Sequence, residues 1–142
     1  MTKKVSVAII YFQKKLLLQL RSKNKGIIHP LKWGFFGGSF KKYDDPKSAL
    51  KREIYEELEI KYFQNIKLLK SYYYAKEKTI FFIFAVKLKN SRFTINEGLE
   101  GKFFLKHELL KPQKSKKLGK NIIFADKFLM NYFLKIFYQY IK

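Results

Sequence analysis

Three glutamates, Glu53, Glu56 and Glu57, fall at i, i+3 and i+4 in the segment Pro46 to Leu58. On a helix that spacing projects all three from one side. Carboxylates so close together repel and raise one another's pKa, and a bound cation removes that cost. An all-oxygen donor set suits Mg²⁺ or Mn²⁺ better than zinc or copper. Arg52, directly before Glu53, adds a fixed positive charge able to orient a glutamate. Upstream lie Gly37 and Gly38; a glycine pair lets the backbone bend tightly and approach a metal or a phosphate. The plain alternative is a solvated acidic helix face with lysine neighbours.

The elements that must position these groups follow from local pattern. Asp45 and Pro46 form a helix start, with Asp as N-cap and Pro at the first helical position. Leu50, Ile54 and Leu58 then repeat every four residues, giving a helix over Pro46 to Leu58 with one apolar stripe beside the glutamates. Val5 to Phe12 and Lys15 to Arg21 read as two strands joined at Gln13-Lys14. Ser22 to Pro30 is a polar loop. Leu31 to Phe40 reads as a short strand entering a glycine turn. Tyr62 to Tyr74 and Thr79 to Leu88 are β-rich runs joined by a hairpin loop at 75–78. Asn90 to Gly101 is loop-like, Phe103 to Leu105 a short strand, and His107 to Leu110 a helical turn. Lys111 to Lys120 reads as a basic loop, and Asn121 to Ile141 as a terminal helix. The order of strands and helices implies an α/β fold, with a mixed sheet and helices packed on it.

The stretch Trp33 to Ile60, WGFFGGSFKKYDDPKSALKREIYEELEI, resembles the Nudix box. That motif runs Gly, five residues, Glu, seven residues, then Arg-Glu-aliphatic-any-Glu-Glu-any-Gly-aliphatic. Gly38 fills the first position, and Asp44 stands where the family has Glu. Arg52 to Leu58 fill the second half, Glu59 stands where the family has Gly, and Ile60 closes the box. Asp44 keeps the charge and loses one methylene of reach. Glu59 is more awkward, because the family glycine ends the helix, where a left-handed backbone is often needed. Phe36 also replaces a Pro often found before the glycine pair. The flanking LLLQLR at 16–21 and Trp33-Gly34 look like the usual approach to the box.

The resemblance, to MutT-like Nudix hydrolases, implies a Nudix-type α/β/α sandwich in a single domain over 1–142. It implies a Mg²⁺-dependent pyrophosphohydrolase, with Mn²⁺ as a possible substitute. Such an enzyme cuts a phosphoric anhydride bond in a nucleoside diphosphate linked to another moiety: a nucleoside triphosphate, nucleotide sugar or dinucleotide. Glu56 and Glu57 would be metal ligands, Glu53 a further ligand or the group that orients water, and the backbone of Gly37 or Gly38 would complete the shell. Arg52 would hold the glutamates and Asp44 would support it. Glu97 and Glu100, in NEGLEGKFF, are candidates for a general base or extra ligand from a later loop, against an ordinary solvated role. Arg21, Trp33 and Gly37 are candidate substrate contacts. For Trp33 the alternative is core packing; His29, near the expected cleft mouth, is weighed against a plain loop histidine. Two other readings stay open: removal of pyrophosphate from an RNA 5′ end, and a non-catalytic Nudix module that binds nucleotide or nucleic acid.

Composition bounds the partners. The chain has 142 residues, 47% hydrophobic and 18% aromatic, with 15 Phe and 10 Tyr. That content supports a packed core and argues against disorder. Net charge is +20, nearly all from lysine. Such a field attracts polyanions, whether a small phosphorylated substrate or RNA. Cysteine is absent, which removes disulfides and Cys-based zinc sites. No apolar run is long enough to span a bilayer, so no membrane role is expected. A cytoplasmic location and a monomer or homodimer are the expectations.

Overall fold

The computed structural model describes every residue except 25, 26, 28 and 142; part of the loop expected over Ser22 to Pro30 therefore lies outside the described residues. Strand β1 (Lys3–Phe12) turns at Gln13, in a left-handed conformation with φ 57, into β2 (Lys15–Leu20). The two pair only near their turn, from Ile10↔Leu17 to Phe12↔Lys15. Beyond that they splay, and residues 33–39 wedge between them. There β3 (Trp33–Gly34) pairs with β2, while β4 (Phe36–Ser39) pairs antiparallel with β1. The glycine turn expected over 31–40 is thus a strand. Gly37 and Gly38 lie opposite Val7 and Ser6, and the missing side chain of Gly37 lets β4 lie against β1.

Helix α1 (Pro46–Leu58) has the expected bounds. Asp45 accepts from Ser48 N at 2.8 Å and Ser48 Oγ accepts from Asp45 N at 3.0 Å, a reciprocal cap that fixes its start. The Ser6 hydroxyl, buried in β1, donates to the Pro46 carbonyl at 2.7 Å and ties that start to the sheet. At the other end Glu59 takes a left-handed conformation, φ 57 and ψ 35, and donates its N–H to the Tyr55 carbonyl at 2.8 Å. The position where a glycine belongs adopts the glycine conformation without being glycine.

Strand β5 (Asn65–Tyr74), starting three residues later than expected, runs through residues 75–78 into β6 (Thr79–Lys87), which pairs parallel with β1. β7 (Glu100–Leu105), longer than the strand expected at 103–105, pairs antiparallel with β2. The basic loop expected over 111–120 is a small hairpin of β8 (Gln113–Ser115) and β9 (Lys120–Ile122). The terminal helix is shorter than expected: α2 covers Lys127–Tyr140, because Ile122 pairs in β9 and Asp126 caps the helix by accepting from Leu129 N at 3.2 Å.

The mixed sheet is covered on both faces, the expected α/β/α sandwich. Ala8, Ile10, Leu17, Phe36, Phe84 and Val86 pack under Leu50, Ile54 and Leu58 of α1. Val7, Ile9, Leu16, Leu18, Ile83 and Phe104 form the other face with α2. Burial on both faces explains why β1 and β2 read as nearly continuous apolar runs. Among the described residues, no helix is long and apolar enough to cross a membrane.

Candidate active site

The wedge of β4 between β1 and β2 brings the glycine pair beneath the acidic side of α1. Gly37 has φ +144, and a Cβ there would collide with the Ser6 carbonyl; both facts demand glycine. At Gly38 a Cβ would collide with the Glu53 carboxyl group. Glu53 therefore lies against the Gly38 backbone, where the sequence suggested the approach of a metal or a phosphate.

Glu57 is the most enclosed member of the set. It is buried, with Oε2 accepting from Gln19 Nε2 at 3.1 Å and Oε1 lying 3.4 Å from the Gly37 amide. Burial pushes its pKa up to about 8; Gln19 and Gly37 oppose that rise, while the neighbouring Glu53 and Glu97 add to it. Glu53 is raised too, by burial first and then by Glu56. This is a group of carboxylates whose ionised forms are short of positive charge.

Arg52 supplies part of that charge. Its guanidinium bonds to Asp44, donates to the Ser39 carbonyl at 3.1 Å, and lies 3.4 Å from Glu53 and 3.6 Å from Glu56. It therefore joins the end of β4, the loop before α1 and the helix itself. Asp44 accepts from Lys41 N at 2.6 Å, and that bond with the Arg52 bond holds its carboxyl below the usual range. The Asp keeps the bond to Arg52 despite its shorter reach. Lys41 Nζ stands 3.8 Å from Glu56.

Glu97 and Glu100 part company. The loop before β7 hangs on the end of α1: Asn96 donates from its backbone to Glu57 O at 3.0 Å and from its side chain to Glu56 O at 2.9 Å. That anchoring brings Glu97 near enough to raise the pKa of both Glu53 and Glu57. Glu100 pairs with Leu20, so it shares the α2 face of the sheet, away from Gln19 and Glu57. Its carboxylate accepts from Ser115 Oγ at 2.7 Å, Lys117 N at 3.1 Å and Lys116 N at 3.3 Å. Glu100 anchors the β8–β9 turn and is not brought to the cluster.

A cleft of about 280 Å³ opens beside β4. It is lined by Gly37, Gly38, Arg21 and His29, by Phe35 and Phe81, and by Leu129, Met130 and Phe133 of α2. Arg21 is partly buried, its pKa lowered by desolvation and raised by Glu57. Trp33 corrects its assignment as a substrate contact. It is fully buried, edge-on to Phe104 with ring centroids 5.0 Å apart, and donates from Nε1 to Gln113 O at 3.3 Å. Its place in β3, opposite Leu20, turns it into the core rather than the cleft. Sequence reasoning missed Gln19, Asn96 and the α2 residues of the cleft. Of these only Gln19 carried a local signal, a polar residue in an apolar strand that must find a partner when buried.

Among the described residues, no three His, Cys, Asp or Glu side chains stand together as a ready metal-ligating group. Glu57 is held by Gln19 and Gly37, and Glu56 lies among Lys41 and Arg52. The donors nonetheless fit a hard divalent cation: they are oxygen-only, they flank a bare glycine backbone, and burial with mutual repulsion disfavours their ionised forms until a cation joins them.

A NUDIX domain family model matches residues 2–125. Among solved structures, the MutT protein from Methanosarcina mazei Go1 superposes with a TM-score of 0.72 at 19% identity, covering 99% of this chain and 96% of that one. The NUDIX domain of Shewanella oneidensis NrtR, complexed with ADP ribose, gives 0.74 at 14% identity, covering 100% and 90%. A MutT/nudix family protein from Enterococcus faecalis gives 0.62 at 18% identity; 73% of this chain is covered but only 44% of that one. At such identities the likeness speaks for the fold. No curated protein sequence matches the chain.

Proposed function

This chain belongs to the NUDIX family of hydrolases, and on that premise we propose that it is a Mg²⁺-dependent pyrophosphohydrolase acting on a nucleoside diphosphate linked to a further group. The observation that carries the reading is the carboxylate pair against the glycine strand. Glu57 is buried next to the Gly37 amide and Glu53 lies against Gly38, and the same two glycines line a cleft large enough to take part of a nucleotide. The NrtR domain is a structure complexed with ADP ribose; that ligand class, a nucleoside diphosphate bearing another moiety, is the one we carry over to this cleft.

In this reading Glu53, Glu56 and Glu57, with the Gly38 carbonyl, hold Mg²⁺, for which Mn²⁺ can substitute. When bound, the cation polarises the diphosphate oxygens, lowers the pKa of water and stabilises the leaving phosphate. Arg52, fixed by Asp44, keeps Glu53 and Glu56 from splaying apart. Glu97 takes the proton of the attacking water. Arg21 meets the phosphates, and the bare backbone at Gly37 leaves them room. The aromatic residues of the cleft lining, Phe35, Phe81 and Phe133, receive the nucleoside. Rate enhancement then rests mainly on positioning and electrostatics.

A substrate panel tests this. Nucleoside triphosphates, nucleotide sugars and dinucleotides are incubated with Mg²⁺ and, separately, with Mn²⁺, and released phosphate or pyrophosphate is measured. Turnover of at least one substrate, abolished by Glu57→Gln in a variant that still folds, is the expected result. A panel with no turnover under either metal would overturn the reading.

A further inference from the structure

Beside the cleft, a row of aromatic rings leads outward. Phe81 and Phe133, which line it, stand 5.3 Å apart. Tyr74 is 6.5 Å from Phe81, and its ring lies nearly parallel to Phe128 at 6.0 Å and to Tyr72 at 6.2 Å. Tyr72 is 4.3 Å from Tyr132, over which Lys70 Nζ sits at 5.6 Å. Strand register explains the alignment. Tyr72 and Tyr74 are two apart on β5, opposite Phe81 and Thr79, and so share the α2 face. Phe128 and Tyr132 are four apart on α2, one turn of the same side. The row thus follows the seam between α2 and β5, and β5 is the end strand of the sheet.

Two features separate this seam from ordinary core. Phe128 is 62% exposed, a costly position for the ring if nothing covers it. Positive charge also stands beside the row: Lys70 Nζ lies over Tyr132, Lys3 lines the cleft, and the chain carries a formal net charge of +20. Glu77 and Asp126 are the acids there, and the Asp126 carboxylate is occupied in capping α2.

Flat rings interleaved with lysines are what an unpaired nucleic acid strand requires. Its bases stack on aromatic faces without regard to sequence, and its phosphates are neutralised by ammonium groups. We propose that the α2–β5 seam is a binding track for a single-stranded polynucleotide whose phosphorylated 5′ end reaches the cleft. The second half of that statement rests on the function proposed above; the track itself does not. A second copy of this chain would bring its own large positive charge against the same lysines.

The test uses fluorescein-labelled RNAs of about twelve nucleotides bearing a 5′-hydroxyl or a 5′-triphosphate, with anisotropy read across a salt series. Single strands should bind with a steep salt slope, and a duplex of the same length more weakly. Phe128→Ala should weaken single-strand affinity about tenfold; Lys70→Glu should lower the slope by about one. Thermal melts confirm that both variants fold. Read on the slow Glu97→Gln variant in Mg²⁺, so that the probe is not consumed, the 5′-triphosphate should bind more tightly than the 5′-hydroxyl. Unchanged affinity in both variants, or equal binding of duplex, would overturn the track, as would a dimer in sedimentation that Phe128→Ala dissociates. Loss of the triphosphate preference alone, with the 5′-hydroxyl strand still bound through Phe128, would instead count against the cleft reading.

Discussion

The Gln19 amide reaches the Glu57 carboxylate at 3.1 Å from a strand 38 residues earlier in the chain. The same Nε2 lies 3.5 Å from the Phe35 carbonyl, so one side chain joins β2, the residue between β3 and β4, and α1. A buried carboxylate with so few partners depends on each for its rotamer. Gln19→Leu keeps the volume and removes the donor. Groups that orient a metal ligand typically matter by about 10–100-fold in metal affinity or activity. Mn²⁺ binding followed by electron paramagnetic resonance should weaken within that range, and kcat should fall with it. A variant with wild-type Mn²⁺ affinity would show that Gln19 only fills space.

Glu57 also makes stability depend on pH. Its pKa in the fold is about 8, against 4.5 for the ordinary group. Below pH 4.5 the carboxyl is protonated in both states, and its contribution to stability is fully present. As pH rises towards 8 the unfolded chain loses the proton first, so that contribution is progressively lost. Glu53 shifts in the same direction and reinforces the trend. In EDTA, Tm should fall between pH 5 and pH 8 more steeply for the wild type than for Glu57→Gln. Added Mg²⁺ should raise Tm most at the upper end of the window. Parallel curves for the two proteins would refute the assignment.

Local rules carried the helix of the site and distant pairings did not appear in them. The bounds of α1 were legible because Asp45, Ser48, Pro46 and the Leu50/Ile54/Leu58 stripe act within a few residues of one another. The spacing of Arg52, Glu53, Glu56 and Glu57 carried the family for the same reason. Gly37 and Gly38 suggested a turn, since nothing nearby indicates that β1 lies against them. Trp33 left a base contact and core packing both open until its pairing with β2 turned it inward. The start of α2 was obscured because Ile122 and Phe124 are apolar whether they lie in a helix or against the core.

The end of α1 carries a removable strain. Glu59 holds φ 57 and ψ 35, a conformation that costs a residue with a Cβ about 1–2 kcal/mol. Glycine adopts it freely but gives back some stability through its more flexible unfolded chain. Glu59→Gly should therefore stabilise the fold by roughly 1 kcal/mol, a rise in Tm of about 3–5 °C. Hydrolysis rates should hardly change, because the N–H of residue 59 still caps Tyr55. A fall in Tm would mean that the Glu59 side chain makes a contribution larger than its backbone cost.

Glu97 and Glu100, three residues apart, give the sharpest contrast. Asn96 ties Glu97 to the last turn of α1, where its charge is felt by Glu53 and Glu57. Glu100 faces the other side of the sheet and is engaged by Ser115, Lys116 and Lys117. If Glu97 accepts the proton of the attacking water, Glu97→Gln should lower kcat by about 10²–10⁴-fold and flatten the acid limb of the pH–rate profile, with Tm little changed. Glu100→Gln should do the reverse, lowering Tm through the loosened β8–β9 turn while kcat stays within a few-fold. Rates and melts of the two variants, measured side by side, decide it. A kcat loss in Glu100→Gln equal to that in Glu97→Gln would mean that the pairing of Glu100 with Leu20 does not set it apart from catalysis.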